Sequence, residues 1–373
     1  MPDRDFIVTP PPSPITVALE PAHNALNSLL LLKAEEPPSG VGEWVMRTVE
    51  ALTPEERDRN RLVMLGLHFA TMTEQSWASL PAYTDHLAAM DPAALRDKLM
   101  HTYARIPLLK DGEDRWWMGD PVPLDLGTVL ESVDSYLAFL HARFSCEGLD
   151  EELEARAYAL VIDPPWMQET IVSHLRHMWT AHLAKEWQRV RPMLEDSVRA
   201  FQELDLASMD KTKAVRVVTG QDLDEHWQHK VGKLDRLIFV PSAHVGPYLG
   251  KYTEGTGTMR VFFGARLPEG TTVRAPDLSR NEILVRLSAL ADNNRLRILE
   301  LIAERGEQCS QEVIDALELS QSAASRHLKQ LTATGYLVER RRDGAKCFRL
   351  NPERIQGTLQ AISNHLGSGA MDD

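Results

Sequence analysis

The stretch from Leu319 to Leu350 constrains this chain more than any other. It reads Leu-Ser-Gln-Ser-Ala-Ala-Ser-Arg-His-Leu-Lys-Gln-Leu-Thr-Ala-Thr-Gly, then Tyr-Leu-Val-Glu-Arg-Arg-Arg, an Asp-Gly pair, and Ala-Lys-Cys-Phe-Arg-Leu. Ser320 is a natural helix N-cap, and Ala324, Leu328 and Leu331 recur at helical spacing as a buried stripe. Gly335 supplies the stop, and Asp343-Gly344 joins the two runs that follow into a β-hairpin. Upstream, Asn281–Ala303 reads as an amphipathic helix pair, with Leu284, Leu287, Leu290, Leu296, Ile298, Leu299 and Ile302 as its apolar positions, and Gln311–Leu317 as a further short helix. Helix, turn, second helix and basic hairpin make a winged helix-turn-helix.

The side chains left over suit DNA. A helix entering the major groove must offer short polar or bidentate groups from its N-terminal half. Gln321, Ser322, Ser325 and Arg326 are of that kind, with His327 in the same run, while Lys329 can reach a phosphate. The helix start at Ser320 favours phosphate oxygens. Arg340, Arg341, Arg342 and Lys346 place positive charge on the wing. The net charge of −13 does not contradict this, because it is unevenly spread. Residues 319–350 hold seven Lys and Arg against two Asp and Glu, whereas the chain outside 280–367 holds 28 against 43. A local basic patch attracts DNA even when the bulk is acidic.

Residues 281–367 resemble the ArsR/SmtB-type winged-helix regulators. The resemblance is carried by Leu287-Ser-Ala-Leu-Ala-Asp-Asn-Asn-Arg-Leu-Arg-Ile-Leu299, by Leu319–Leu328 and by Gly335-Tyr-Leu-Val. It implies a homodimeric repressor that leaves its operator on sensing a signal, with dimerisation through the first and last helices of the module. Ile355, Leu359, Ile362 and Leu366 form a stripe that fits this, although packing within the chain would also satisfy it. Many such regulators sense metal through a Cys-x-Cys-Asp segment. The corresponding stretch here is Cys309-Ser-Gln311-Glu312, and one thiolate beside a neutral amide is a poor soft-metal site. No metal and no cofactor are expected, with Cys309 read as a small residue near a helix start and Cys347 as packing.

Length alone favours more than one domain. The fold class expected is α+β: a mainly helical N-terminal domain with a small β-sheet, then the winged helix-turn-helix. The divisions are a flexible proline-rich lead over 1–14, a sensor or regulatory domain over 15–275, the DNA-binding and dimerisation domain over 280–367, and a flexible tail over 368–373. Arg274–Ser279 is the boundary between the two domains. Ile15–Leu19, Val215–Val218, Arg236–Val240 and Met259–Phe263 read as strands, and Pro164 to Leu206 as a long helix that Pro192 kinks. All eight tryptophans and eleven of thirteen methionines lie between residues 44 and 259, a composition that lines adaptable pockets as readily as it fills cores. Leu237–Ser242 and Gly246–Leu249 weakly resemble the uncharacterised N-terminal regions of larger ArsR-like proteins, which implies no particular ligand.

Catalysis finds little support. His174 and His177 share a helix face at i, i+3, with His182 rotated away; His226 and His229 are a second such pair. Ser242 and His244 lack a nucleophile elbow. Glu254-Gly-Thr-Gly-Thr258 precedes a strand and is a hairpin loop rather than a phosphate cradle. Three widely spaced cysteines make no disulfide framework, and no apolar run spans a membrane. The expectation is a cytoplasmic, non-enzymatic transcriptional regulator with double-stranded operator DNA, a second copy of itself and a small-molecule effector as partners. An enzyme with a fused regulatory module and a winged-helix interaction protein are the alternatives.

Overall fold

The computed structural model describes residues 13–34, 37–38, 40–108, 123–144, 149–221, 223, 225–254, 257–268, 280–342 and 345–367. The lead before Ser13, the tail over 368–373, the boundary Arg274–Ser279 and the Asp343-Gly344 turn lie outside the described residues.

Helices dominate the N-terminal region. Those from Pro21–Leu31 to Pro164–Met178 meet in one large core, where Leu26, Leu29, Val63, Leu87, Leu99, Ile171 and Leu175 are fully buried. The helix Pro54–Arg61 starts as its sequence predicts: Thr53 and Glu56 form a reciprocal capping box with Pro54 in the first turn. Beside this core lies a four-stranded sheet. Strands β1 (Ile15–Val17), β2 (Arg236–Ser242), β3 (Gly250–Glu254) and β4 (Thr258–Gly264) take the order β1-β2-β4-β3. β1, β2 and β4 are parallel, and β3 returns antiparallel to β4. Leu237 and Phe239 pack on one face with Phe201, Val215 and Val218; Ile238 and Val240 pack on the other with Val245 and Phe262. Both faces are covered, which is why β2 is a continuous apolar run instead of an alternating one.

Two elements differ from the sequence reading. Val215–Val218 is not a strand but part of the helix Lys211–Thr219. Asp210 caps it by accepting from the Thr212 and Lys213 amides, and Gly220, at φ 69°, ends it in the left-handed region. These stops outweigh the β preference of the valines, and Ala214, Val215 and Val218 still bury together on one helix face. The long helix after Pro164 is interrupted at Trp179–Leu183, where the backbone takes a π turn. Pro192 lies within the next helix, Ala184–Gln202.

A buried charge pair ties this region together. Glu20, left-handed at φ 45°, precedes the helix Pro21–Leu31. Its carboxylate lies 3.5 Å from Arg260 on β4 and 3.1 Å from His23, and accepts from the Ser76 hydroxyl at 2.7 Å. Burial pushes the Glu20 carboxyl up, but the His23 and Ser76 hydrogen bonds and the Arg260 charge outweigh it and bring it down to about 2.

In the C-terminal region Ile298, Leu299, Ile302, Val313, Leu328, Leu331, Tyr336, Leu337 and Phe348 form a separate core. Strands β5 (Gln308–Cys309), β6 (Leu337–Arg342) and β7 (Ala345–Leu350) form a sheet of order β5-β7-β6. The chain is therefore α+β, a mainly helical N-terminal region with a small sheet followed by a winged helix-turn-helix. Cys309 and Cys347, expected to be a helix-start residue and a packing residue, stand opposite one another across β5 and β7 and are joined by a disulfide. Sequence separation hid a pairing that strand register creates.

Arg295 organises the module. Its buried guanidinium donates to the carbonyls of Ala289 at 2.6 Å and Ser288 at 2.8 Å, and to Gln330 Oε1 at 2.8 Å. The last turns of two helices are thereby fixed to a third.

Arg260→Met strands the Glu20 carboxylate, and its cost is about 3–5 kcal/mol, read from the urea midpoint of the sheet region. Because Glu20 titrates at about 2 when folded against 4.5 as a free group, its contribution is present above pH 4.5 and lost as pH falls toward 2. Glu20→Gln should flatten the midpoint over that window. Arg295→Met should cost about 3 kcal/mol and speed hydrogen exchange at the amides of the helix Gln321–Ala333.

Candidate nucleic-acid interface

The helix Asn293–Arg305 is capped by Asp292, whose carboxylate accepts from the Arg295 amide at 3.0 Å. The helix Ser310–Leu317 ends at Glu318, left-handed at φ 54°. The next helix, Gln321–Ala333, begins at Ser320, whose hydroxyl accepts from the Ala323 amide at 3.3 Å. It ends in a Schellman stop: Gly335, at φ 80°, donates to Thr332 O, and Tyr336 to Leu331 O, both at 2.9 Å. Arg354 fills the space a Cβ at residue 335 would need.

Ser320, Gln321, Ser322, Ser325, Arg326 and Lys329 are all exposed along this helix, and Ala324, Leu328 and Leu331 are buried beneath them. His327 departs from the expectation. It is 5% exposed, with Nδ1 3.8 Å from the Asp292 carboxylate, so it packs the helix against its neighbour. Its position beside Leu328 on the inward arc decides this.

The wing is more self-paired than its sequence implies. Arg340 is exposed, and Arg341 stands opposite Lys346 in the β6–β7 register. Arg342 reaches back to Glu312 at 3.5 Å and Glu307 at 3.8 Å and donates to Cys309 Sγ at 3.1 Å. Lys346 pairs with Glu339 at 3.2 Å. These pairs are solvated and weak, and a phosphate can compete for either cation.

The stripe Ile355, Leu359, Ile362 and Leu366 divides. Ile355 packs on the module's own core and Ile362 is half-buried, while Leu359 and Leu366 are exposed, at 58% and 70%. Leu284 and Leu287, on the helix Arg280–Leu290, are also exposed. The residues missed were Arg295 and Gln330. The signal was present: Arg295 interrupts the stripe that Leu299 and Ile302 continue, the mark of a cation kept in a core for its partners.

A cleft of about 2940 Å³ opens between this module and the sheet region. Gln321, Ser325 and Lys329 line it from one side, and Lys33, Trp44 and Arg216 from the other. Of the described tryptophans, only Trp44 and Trp227 are among its lining residues, and Trp77, Trp179 and Trp187 go into packing. On its wall Trp44 stacks on His244 at 4.5 Å, and His244 bonds Glu186 at 3.2 Å and the Ser28 hydroxyl at 2.7 Å. Sequence reading did not anticipate this Ser-His-Glu chain. The Ser28 hydroxyl is buried behind the ring and also donates to Asn24 O at 2.8 Å, outside the cleft lining. The chain orients the imidazole and presents no nucleophile to the cleft.

The family described as bacterial regulatory protein, arsR family, matches residues 292–338. The arsenic resistance transcriptional regulator ArsR1 of Pseudomonas putida is 50% identical over 89 residues, which cover 22% of this chain and 70% of that protein. ArsR2 of the same organism is 42% identical over 90 residues, 22% of this chain and 78% of that protein. The arsenical resistance operon repressor of Escherichia coli is 41% identical over 63 residues, 17% of this chain and 54% of that protein. All of this similarity lies in about a quarter of the chain, and through that C-terminal module the protein belongs to the arsR family of bacterial regulatory proteins.

Proposed function

We propose that this protein is a cytoplasmic, homodimeric transcriptional repressor that binds operator DNA through residues 280–367 and whose domain over 15–275 senses a small molecule or partner. The observation that carries the reading is the arc of Ser320, Gln321, Ser322, Ser325, Arg326 and Lys329, exposed together on a helix that the buried Arg295–Gln330 contact holds in place. In this reading the first four and Arg326 meet base edges and phosphates at the groove, Lys329 meets a phosphate, and Arg340, Arg341, Arg342 and Lys346 meet the backbone alongside. The exposed Leu284, Leu287, Leu359 and Leu366 supply an apolar face for a second copy. Repression is favoured because the Escherichia coli relative is an operon repressor by name.

Coupling to the N-terminal region is supported by the shared cleft and by Arg354, which donates to Gly220 O at 2.8 Å. Effector and DNA would then oppose one another by linkage, each weakening the other by the same factor. With Cys309 and Cys347 bonded to each other, neither offers a thiolate to a metal. Among the described residues no helix is long and apolar enough to cross a membrane. The relatives named as transcriptional regulators support a non-enzymatic role.

Fluorescence anisotropy on the DNA upstream of the protein's own gene, against a scrambled duplex over a salt series, tests the reading. Specific binding that weakens with salt is expected; absence of binding to either duplex at low salt overturns it. Arg326→Ala should cost about 1–3 kcal/mol on the specific duplex and leave the scrambled one nearly unchanged. Lys329→Ala should weaken both alike and reduce the salt slope by about 1. Equal losses on both duplexes for both variants would refute the division of roles.

A further inference from the structure

The π turn at Trp179–Leu183 has an effect on side chains. In a regular α-helix residues five apart point about 140° away from each other. The extra residue of a π turn brings them onto one side, and such turns recur at functional sites. Here it brings His182 round to His177, and both rings meet one carboxylate. His177 Nε2 lies 2.7 Å and His182 Nε2 3.2 Å from Oε1 of Glu56, and the three potential ligand atoms all lie within 4.8 Å of one another. The sequence reading placed His174 and His177 on one helix face with His182 rotated away, whereas here His177 and His182 meet and His174 stands apart. His174 turns inward and bonds Asn60 Oδ1 at 3.0 Å, because the regular helix keeps it on the buried face.

We propose that Glu56, His177 and His182 form a binding site for a divalent d-block cation of the zinc class, outside the family module. Ligand atoms around a tetrahedral ion bound at ~2.1 Å stand about 3.4 Å apart, so small side-chain movements turn this hydrogen-bonded trio into a coordination shell. The donor set, two imidazoles and one carboxylate, suits a borderline ion and leaves a position open. A cavity of about 290 Å³ lined by Thr53, Glu55, Glu56, Arg59, His174 and His177 adjoins two of the three donors and provides room for water or an exogenous ligand there.

The surroundings hold the donors in place. Glu56 Oε2 accepts the Thr53 amide at 2.9 Å, so the capping box aims Oε1 at the imidazoles. The His182 carbonyl accepts from Trp44 Nε1 at 3.2 Å, which fastens the π turn. Arg59, which lines the same cavity, is paired with Glu55 at 3.3 Å. The ligands come from segments more than a hundred residues apart, so a bound ion would cross-link the helix Pro54–Arg61 to the π turn.

The test is equilibrium dialysis of the full chain, free of any histidine tag and kept oxidised so that Cys309 and Cys347 stay paired, against Zn²⁺, with the visible spectrum of the Co²⁺ form as the geometric readout. One ion per chain is expected, with Co²⁺ bands typical of four or five ligands. His177→Ala and Glu56→Gln should each weaken binding roughly tenfold or more. Glutamine can still close the capping box, so Glu56→Gln separates ligation from helix capping. His141→Ala, which alters an exposed His–Glu pair elsewhere, should change nothing. No Zn²⁺ bound by the wild type, or equal binding in the two site variants and the wild type, overturns the proposal.

Discussion

A guanidinium taken out of water keeps its charge, so the structure around it has to supply fixed acceptors. Both regions of this chain are organised by that requirement. Arg260, on a strand walled in on both faces, is met by Glu20, and the pair holds the start of the first helix against the sheet. Arg295 is met by two carbonyls at a helix end and by Gln330. The exposed arc of the helix Gln321–Ala333 points where it does because its inner side is bound to Arg295. Hydrophobic burial would tolerate some rotation of that helix; a multiply bonded guanidinium tolerates much less.

The C-terminal module was legible because its information is local. Caps, stop glycine and apolar stripe all point the same way within a short stretch, while His327 turns inward and Ile355 takes the intrachain packing that its stripe also allowed. The N-terminal region was less legible, for reasons specific to particular residues. Val215, Val217 and Val218 have strand chemistry but lie between an Asp210 cap and a Gly220 stop, and the ends prevailed. Within the C-terminal module, the Cys309–Cys347 bond escaped the sequence because it depends on strand register, which sequence distance does not report. The approach of His182 to His177 depends on a single extra residue in a helical turn, and any reading that assumes a period of 3.6 places it on the wrong face.

The functional reading divides in the same way. Matches to known regulators cover about a quarter of the chain, and there sequence, geometry and family agree. The rest has to be read from its own chemistry. Its buried Ser-His-Glu chain is enclosed where its serine cannot be reached, whereas the Glu56 trio lies close to the surface beside a small cavity. Access thus separates an orienting network from a site able to take up a ligand.

Arg354 sits at the root of the last helix, against Gly335 and against the Gly220 carbonyl. One side chain therefore touches the stop of the helix Gln321–Ala333, the end of the helix Lys211–Thr219 and the helix that carries Leu359 and Leu366. In mechanical terms it is a pivot shared by three levers, and a displacement of any one of them loads the other two.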